Sequence, residues 1–260
     1  MKDQNIIVIA DLHCGSRNGL TPPMWQDNRD PLYPLQQEGW KWYKNEIKTL
    51  GNIDICIANG DLIDGRQEKD GSTGLLAVDR LEQANMATYC LRETKAKQFF
   101  ISYGTPYHTG SYEDFENVVA RNLAGSGLKV EIGGHLFIDI NGVVLDVKHK
   151  TGSSSVPHGR HTPVAREKLW NKLWALKNEQ PDSNIVIRSH THFFGYCGDD
   201  TYLAFTTPAL EGLGSRYGSR ACTGLVDFGF VHINIDRKGQ YTWQVHKAKL
   251  KAQKAQVLKV

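Results

Sequence analysis

Residues 6–15 read IIVIADLHCG, an unbroken Ile/Val run that stops at Asp11 and His13. A strand with one wet face alternates apolar and polar residues. An uninterrupted apolar run instead belongs to a strand buried on both faces, as in sheets covered by helices. The same construction recurs. IDICIANGDLID (53–64) reaches Asp61, VVLDVKHKTG (143–152) reaches His149, and NIVIRSHTHFF (184–194) reaches His190 and His192. In a layered α/β sheet the carboxyl ends of the strands open into one crevice, so these six side chains can converge although they are far apart in sequence. Oxygen and imidazole donors without thiolate suit Mn, Fe, Zn or Ni in an open, hydrolytic site holding two metals.

Outward from these runs, the order of elements is strand (5–10), helix (34–50), strand (53–58), helix (75–95), strand (98–103) and helix (112–123). That alternation predicts a parallel sheet with crossover helices. Residues 128–147 read as short antiparallel strands with a tight turn at Asn141-Gly142. Thr162-Pro163 reads as a helix start, Thr162 capping and Pro163 opening the first turn, with Trp170, Leu173, Trp174 and Leu176 along the helix to about Asn178. Strands at 184–188, 202–206, 225–235 and 240–246 suggest a second sheet packed face to face on the first. No internal repeat or long linker divides the chain, so a single domain over 1–260 is expected, with a basic tail at 246–260 that reads as frayed.

The 260 residues carry 31 basic and 28 acidic side chains, a formal charge of +3. That balance is too weak to diagnose nucleic-acid binding and does not oppose an anionic substrate. Five cysteines with no CxxC pair imply neither a disulfide framework nor a zinc knuckle. The first apolar run ends at Asp11, too early for a signal peptide, and no stretch approaches the ~18 apolar residues of a membrane span. A cytoplasmic protein without a membrane partner is expected; the sequence sets no oligomeric state.

Each motif alone has a plain alternative. Asp-x-His after a strand is often a turn or cap, although two residues at alternate strand positions would share a side and could reach one cation. In GDLID, Gly60 permits a sharp turn, Asp61 can present both oxygens between two cations, and Asp64 reads as the group that holds a ligand histidine in its correct tautomer. His190-x-His192 could equally be two satisfied polar side chains near a sheet edge. Weight comes from the joint pattern: four segments in this order, each following a Val/Ile-rich run.

That ordered set (D-x-H, G-D-x-x-D, a glycine-led segment with histidine, a lone H, then H-x-H) spans residues 11 to 192 and resembles the calcineurin-like metallophosphoesterase superfamily. The resemblance implies a four-layered α/β/β/α sandwich of two mixed sheets with a dinuclear metal site at one end. By position, Asp11, His13 and His192 would hold one metal, Asp61 would bridge, and His149 and His190 would hold the other. Manganese is the first expectation, with Fe, Zn or Ni as alternatives. The family's third motif is usually G-N-H followed by an acid. Here Gly104-Thr105-Pro106-Tyr107-His108-Thr109-Gly110 lacks the ligating asparagine. The resemblance leaves His108 as the catalytic group beside the leaving oxygen, and Thr105, a water or a backbone oxygen to complete the second metal's shell. The segment also resembles a GTxxHxG form of phage-encoded relatives.

The implied activity is hydrolysis of a phosphoester, first a diester in a nucleic acid or nucleotide. Besides Thr105, the substrate contacts expected are Arg66, Arg160 and His161, with Arg216 and Arg220 in a later loop and Trp25, Tyr33, Tyr107 and Tyr217 for stacking. In the family's Ser/Thr phosphatases the motif runs G-D-x-x-D-R-G; here Gly65 precedes Arg66, which argues against a close phosphoprotein phosphatase. A phosphomonoesterase and a catalytically silent binding scaffold are the alternatives.

Overall fold

The computed structural model describes residues 1–68, 71–110, 114–154, 156–213, 224–253 and 257. Two sheets form its centre. The first has the order β11-β10-β1-β2-β3-β4 and the second β5-β6-β7-β9-β8. In the first sheet β1 (Gln4–Ile9), β2 (Ile55–Asn59), β3 (Gln98–Ser102) and β4 (Lys129–Gly133) run parallel, while β10 (Phe228–Ile235) lies antiparallel beside β1 and β11 (Tyr241–Ala248) antiparallel beside β10. The second sheet joins β5 (Leu136–Ile140) antiparallel to β6 (Val143–Val147). Then β7 (Ile185–Arg188) and β9 (Leu203–Thr206) follow in parallel, with β8 (Gly195–Gly198) antiparallel at the edge.

The period of two along each strand divides its apolar residues between two cores. Ile6, Val8, Ile55 and Ile57 face inward onto Leu145, Val147, Ile187 and Phe205 of the other sheet. Ile7, Ile9, Cys56 and Ala58 face outward, under Tyr43 and Ile47 of α1 (Tyr33–Thr49) and Ala84 and Ala87 of α2 (Arg80–Arg92). On the far side α5 (Thr162–Leu176) rests through Val164 on Val186 and Ala204. The layers are therefore α/β/β/α. Among the described residues no helix is long and apolar enough to cross a membrane.

Several sequence expectations are corrected. β4 pairs in parallel with β3, and β10 and β11 return to the first sheet instead of extending the second. The helix expected from residue 75 starts at Arg80, because Asp79 caps it by accepting from the Leu81 amide at 2.9 Å. Leu75 and Leu76 are held instead in the turn beside Ser16 and Gly15. α5 is flanked by His161 and not capped by Thr162, and its Trp170, Leu173, Trp174 and Leu176 face solvent. A short helix, α3 (Pro106–Thr109), precedes α4 (Asp114–Ala124). At the basic end, Leu250 is buried and Glu38 accepts from the amides of Lys251 and Ala252.

Candidate metal centre

The six side chains meet at one end of the two sheets. Their strands stop first: β1 ends at Ile9 and β7 at Arg188, so Asp11, His13, His190 and His192 lie in turns beyond them. The shared strand face expected for Asp-x-His and His-x-His is thus replaced by another device. Asp11, His13, Asp61, His190 and His192 all adopt positive φ, between 44° and 71°. Left-handed backbone at a non-glycine residue costs on the order of 1 kcal/mol or more and is tolerated where the surroundings enforce it. Here the loops enforce one another. Asp11 and His13 amides donate to the carbonyls of Gly60 and Asp61, the Leu210 amide donates to Ala10 and Asp11, and the Asp227 amide donates to His192. Gly60 (φ 77°) has no room for a side chain, since a Cβ would lie 2.5 Å from His149 Nδ1. At Gly104 a Cβ would lie 2.2 Å from Asp61 Oδ1.

Three donor groups result; Asp11–His13–His192 and Asp61–His149–His190 gather the six side chains, and a third joins His13 to Asp64 and His108. In the first, Asp11 Oδ1 is buried and accepts no hydrogen bond. His192 Nε2 stands 3.3 Å from it, with Nε2 of His13 and of His149 each at 3.9 Å. His13 Nε2 and His192 Nε2 face each other at 3.2 Å. Unpaired lone pairs converging in a buried space call for a cation between them. In the second set, His149 Nδ1 donates to the Asn59 carbonyl at 2.7 Å, which turns Nε2 toward Asp61 Oδ2 at 3.0 Å. His190 Nδ1 is 3.9 Å from the same oxygen.

The electrostatics agree. Burial alone would push the Asp11 and Asp61 carboxyls up, but neighbouring imidazoles hold both down, Asp61 well below the usual carboxylate range. Burial likewise opposes charge on His149 and His192, yet Asp61 lifts His149 to about 10 and Asp11 lifts His192 to about 9. Each ring sits where positive charge is stabilised, which a divalent ion satisfies with the ring neutral. The donors fit divalent cations of the Mn, Fe, Zn and Ni group.

Around these sets, Asp64 Oδ1 is 3.0 Å from His13 Nδ1. His108 Nδ1 donates to the Asp64 carbonyl oxygen at 2.8 Å, and its ring meets His13 edge-on at 4.5 Å. Burial would lower its pKa, but Asp64 and the charge of Asp61 raise it to about 9. Thr105 holds Asp61: its amide and hydroxyl donate to Asp61 Oδ1 at 2.6 and 3.1 Å.

The other expected substrate contacts divide. His161 lies against Gly195, just beyond His192, and accepts from Arg160 Nε at 3.1 Å. Arg66 turns outward to Glu68, and its side chain is exposed. Trp25 packs edge-on to Tyr89 and Tyr33 accepts from Gln37, so neither is at the centre. Tyr107 is exposed and edge-on to His108. Arg216, Tyr217 and Arg220 lie outside the described residues.

Two carboxylates at the site escaped the sequence reading. Glu211 Oε2 lies 3.3 Å from His192 Nδ1 and 3.7 Å from His13 Nε2. Glu116, on α4 and fully buried, accepts from the amides of Gly104 (2.7 Å) and Leu62 (3.2 Å) and so ties together the loops on either side of Asp61. Burial and the Asp61 charge push its carboxyl up to about 8, against the pull of those amides. Neither follows an Ile/Val run, and no spacing marks them.

No protein-family model matches the sequence, and no curated protein matches it. Solved structures do. Vacuolar protein sorting 29 from Cryptosporidium parvum is similar over 95% of this chain and 99% of its own, at 12% identity and a TM-score of 0.50. An archaeal phosphodiesterase is similar over 94% of this chain and 100% of its own, at 13% identity and a TM-score of 0.46. The Zn2+ complex of Vps29 from Entamoeba histolytica covers 94% and 99%, at 15% identity and 0.44. At such identities the likeness speaks to architecture. The chain has the calcineurin-like metallophosphoesterase fold, and three overlapping clusters of Asp and His among the described residues could bind metal.

Proposed function

We propose that this protein is a metal-dependent phosphoester hydrolase that holds two divalent cations, manganese first among the candidates, and cleaves phosphodiesters in nucleic acids or nucleotides. The observation that carries the reading is the convergence of two carboxylate–imidazole sets, built largely on left-handed turns, around Asp11 Oδ1, which is buried and accepts no hydrogen bond. Asp11, His13 and His192 would hold one cation, His149 and His190 the other, and Asp61 would touch both. When bound, such a pair supplies an acidified water and neutralises phosphoryl oxygens.

The chain's own groups do the rest. His108 donates an Nδ1–H hydrogen bond to the Asp64 carbonyl, which orients the ring and leaves the imidazolium Nε2–H free to protonate the departing oxygen. Thr105 fixes the plane of the Asp61 carboxylate. Tyr107 offers an exposed ring beside His108 on which a base can stack, and this favours a nucleotide diester over a small monoester. The second reading, a metal-binding scaffold without turnover, draws on Thr105, which stands where the resembling family has a ligating asparagine.

Metal analysis of the purified protein, paired with hydrolysis of bis-p-nitrophenyl phosphate and of the monoester in Mn2+, tests the proposal. Expected are two metals per chain and diester turnover that disappears in Asp61→Asn and survives in Arg160→Ala. Full metal occupancy with no phosphoester hydrolysed would favour the scaffold, and turnover of the monoester alone would favour a phosphomonoesterase.

A further inference from the structure

We propose that the outer face of α5 is a self-association surface, pairing antiparallel with α5 of a second copy of this chain about a two-fold axis. This stands apart from the metal centre and does not rest on the proposed hydrolysis.

Among the described elements α5 alone covers the outer face of the second sheet, and it seats there through Val164 and Asn171. Its opposite face carries Leu169 (61% exposed), Trp170 (59%), Leu173 (44%), Trp174 (38%) and Leu176 (73%). Single exposed apolar residues need no explanation, but these are contiguous. Leu169, Leu173 and Leu176 follow the four-then-three spacing of a helix–helix seam, and Trp170 and Trp174 flank it one turn apart. Together they present an apolar area on the order of 500 Å², at the upper end of what a monomer displays.

Charge placement selects the occupant. Arg166 near the start of α5 and Glu179 just past its end are both exposed, and among the described residues neither has an ion-pair partner. A two-fold axis near Leu173 reverses the second helix, which sets Arg166 against Glu179 twice and Leu169 against Leu176 twice, as an isologous interface requires. Lys172 is occupied by Asp182 at 2.5 Å, and the Lys177 ammonium lies 5.4 Å from the centre of the Trp174 ring. A lipid surface would call for free cations on both flanks of the stripe, whereas this stripe carries opposite signs at its two ends. Two such faces would bury roughly 1,000 Å², near the lower limit for a specific complex, so the dimer is expected to be weak and concentration-dependent.

Sedimentation equilibrium of the full chain from low micromolar to several hundred micromolar is the test. The mass should rise from 29.2 kDa toward twice that value. Leu173→Glu, a substitution at an exposed position, should hold the protein monomeric with an unchanged circular dichroism spectrum. Arg166→Glu and Glu179→Arg should each weaken the dimer several-fold, and the double exchange should restore it. A monomer across the whole range, a dimer indifferent to Leu173→Glu, or a double exchange that fails to restore pairing would each overturn the proposal.

Discussion

His192 and Glu211 form a carboxylate–imidazole pair at the candidate metal centre, with Glu211 Oε2 3.3 Å from Nδ1 while the opposite ring nitrogen faces Asp11 at the same distance. Glu211 is itself fixed, since its Oε1 accepts from Asn18 Nδ2 at 3.0 Å and Asn18 also donates to the Gly212 carbonyl. A carboxylate on the far nitrogen sets the ring's tautomer and strengthens the near nitrogen as a ligand, and losing it weakens metal binding about 10–100-fold. Glu211→Gln keeps the shape and removes the charge. Calorimetric titration with Mn2+ should show that loss. Undiminished affinity would reduce Glu211 to a loop tether.

His108 groups with His13 and Asp64 and belongs to neither the Asp11 nor the Asp61 set, so its removal should separate chemistry from metal binding at those two sets. His108→Ala should retain the bound metals and lose about 10²–10⁴-fold in turnover, the usual contribution of a positioned proton donor. The loss should be smaller for p-nitrophenyl esters, whose leaving group needs little protonation, than for a nucleotide diester. Equal losses on both substrates, or loss of metal, would count against the proton-donor role.

How much of this could be read in the chain follows from what periodicity encodes. The runs at 5–10, 53–58 and 98–103 became β1, β2 and β3 because their unbroken apolar centres (IIVI, ICIA and FFI) mean burial on both faces. The run at 225–235 marked a strand but not its neighbour. Its pairing with β1, Ile6 beside Ile233, is set by a crossing in space that no local pattern records. Asp, Asn and His tolerate left-handed backbone better than most residues, so Asp-x-His and His-x-His carried a turn signal that the strand-face reading passed over. Glu116 had no signal at all: on a helix it looks like a solvated carboxylate, and only the fold buries it. For α5 the spacing gave a stripe, and a stripe does not say which side of the helix meets the sheet.

Arg188, at the end of β7, is a buried cation held by Asp146 at 2.7 Å and Glu167 at 2.9 Å. It also donates to the Asp146 and Ile187 carbonyls and so joins the strands that lead to His149 and His190. Burial works against the Asp146 charge, and His135 and Arg188 hold its pKa down. Removing one member of a buried pair leaves an uncompensated charge and costs about 3–5 kcal/mol. Arg188→Met should lower urea stability by that amount, and adding Asp146→Asn should recover a large part. Additive losses in the double variant would mean that Arg188 acts by packing alone.

Asp54 governs an acid-dependent joint at the strand starts, away from the candidate metal centre. Its Oδ1 takes Lys2 and Lys97, each at 2.8 Å, and its Oδ2 accepts the Asn5 amide at 3.2 Å, which fastens the starts of β1, β2 and β3. Burial pushes the carboxyl up, but the two ammonium groups and the amide together bring it from the usual 3.8 to about 2. A carboxyl with a depressed folded-state pKa adds stability that is present above the unfolded value and is lost as pH falls through the folded one. The lysines are largely exposed, so screening limits the contribution to about 1 kcal/mol. Asp54→Asn should therefore be less stable than the parent at pH 7. The gap should narrow from about pH 4 downward, close near pH 2, and shrink at neutral pH in 1 M salt. Urea titrations at pH 7, 5, 4, 3 and 2 would follow it, and a gap independent of pH would assign the effect to the Asn5 hydrogen bond instead of the charges.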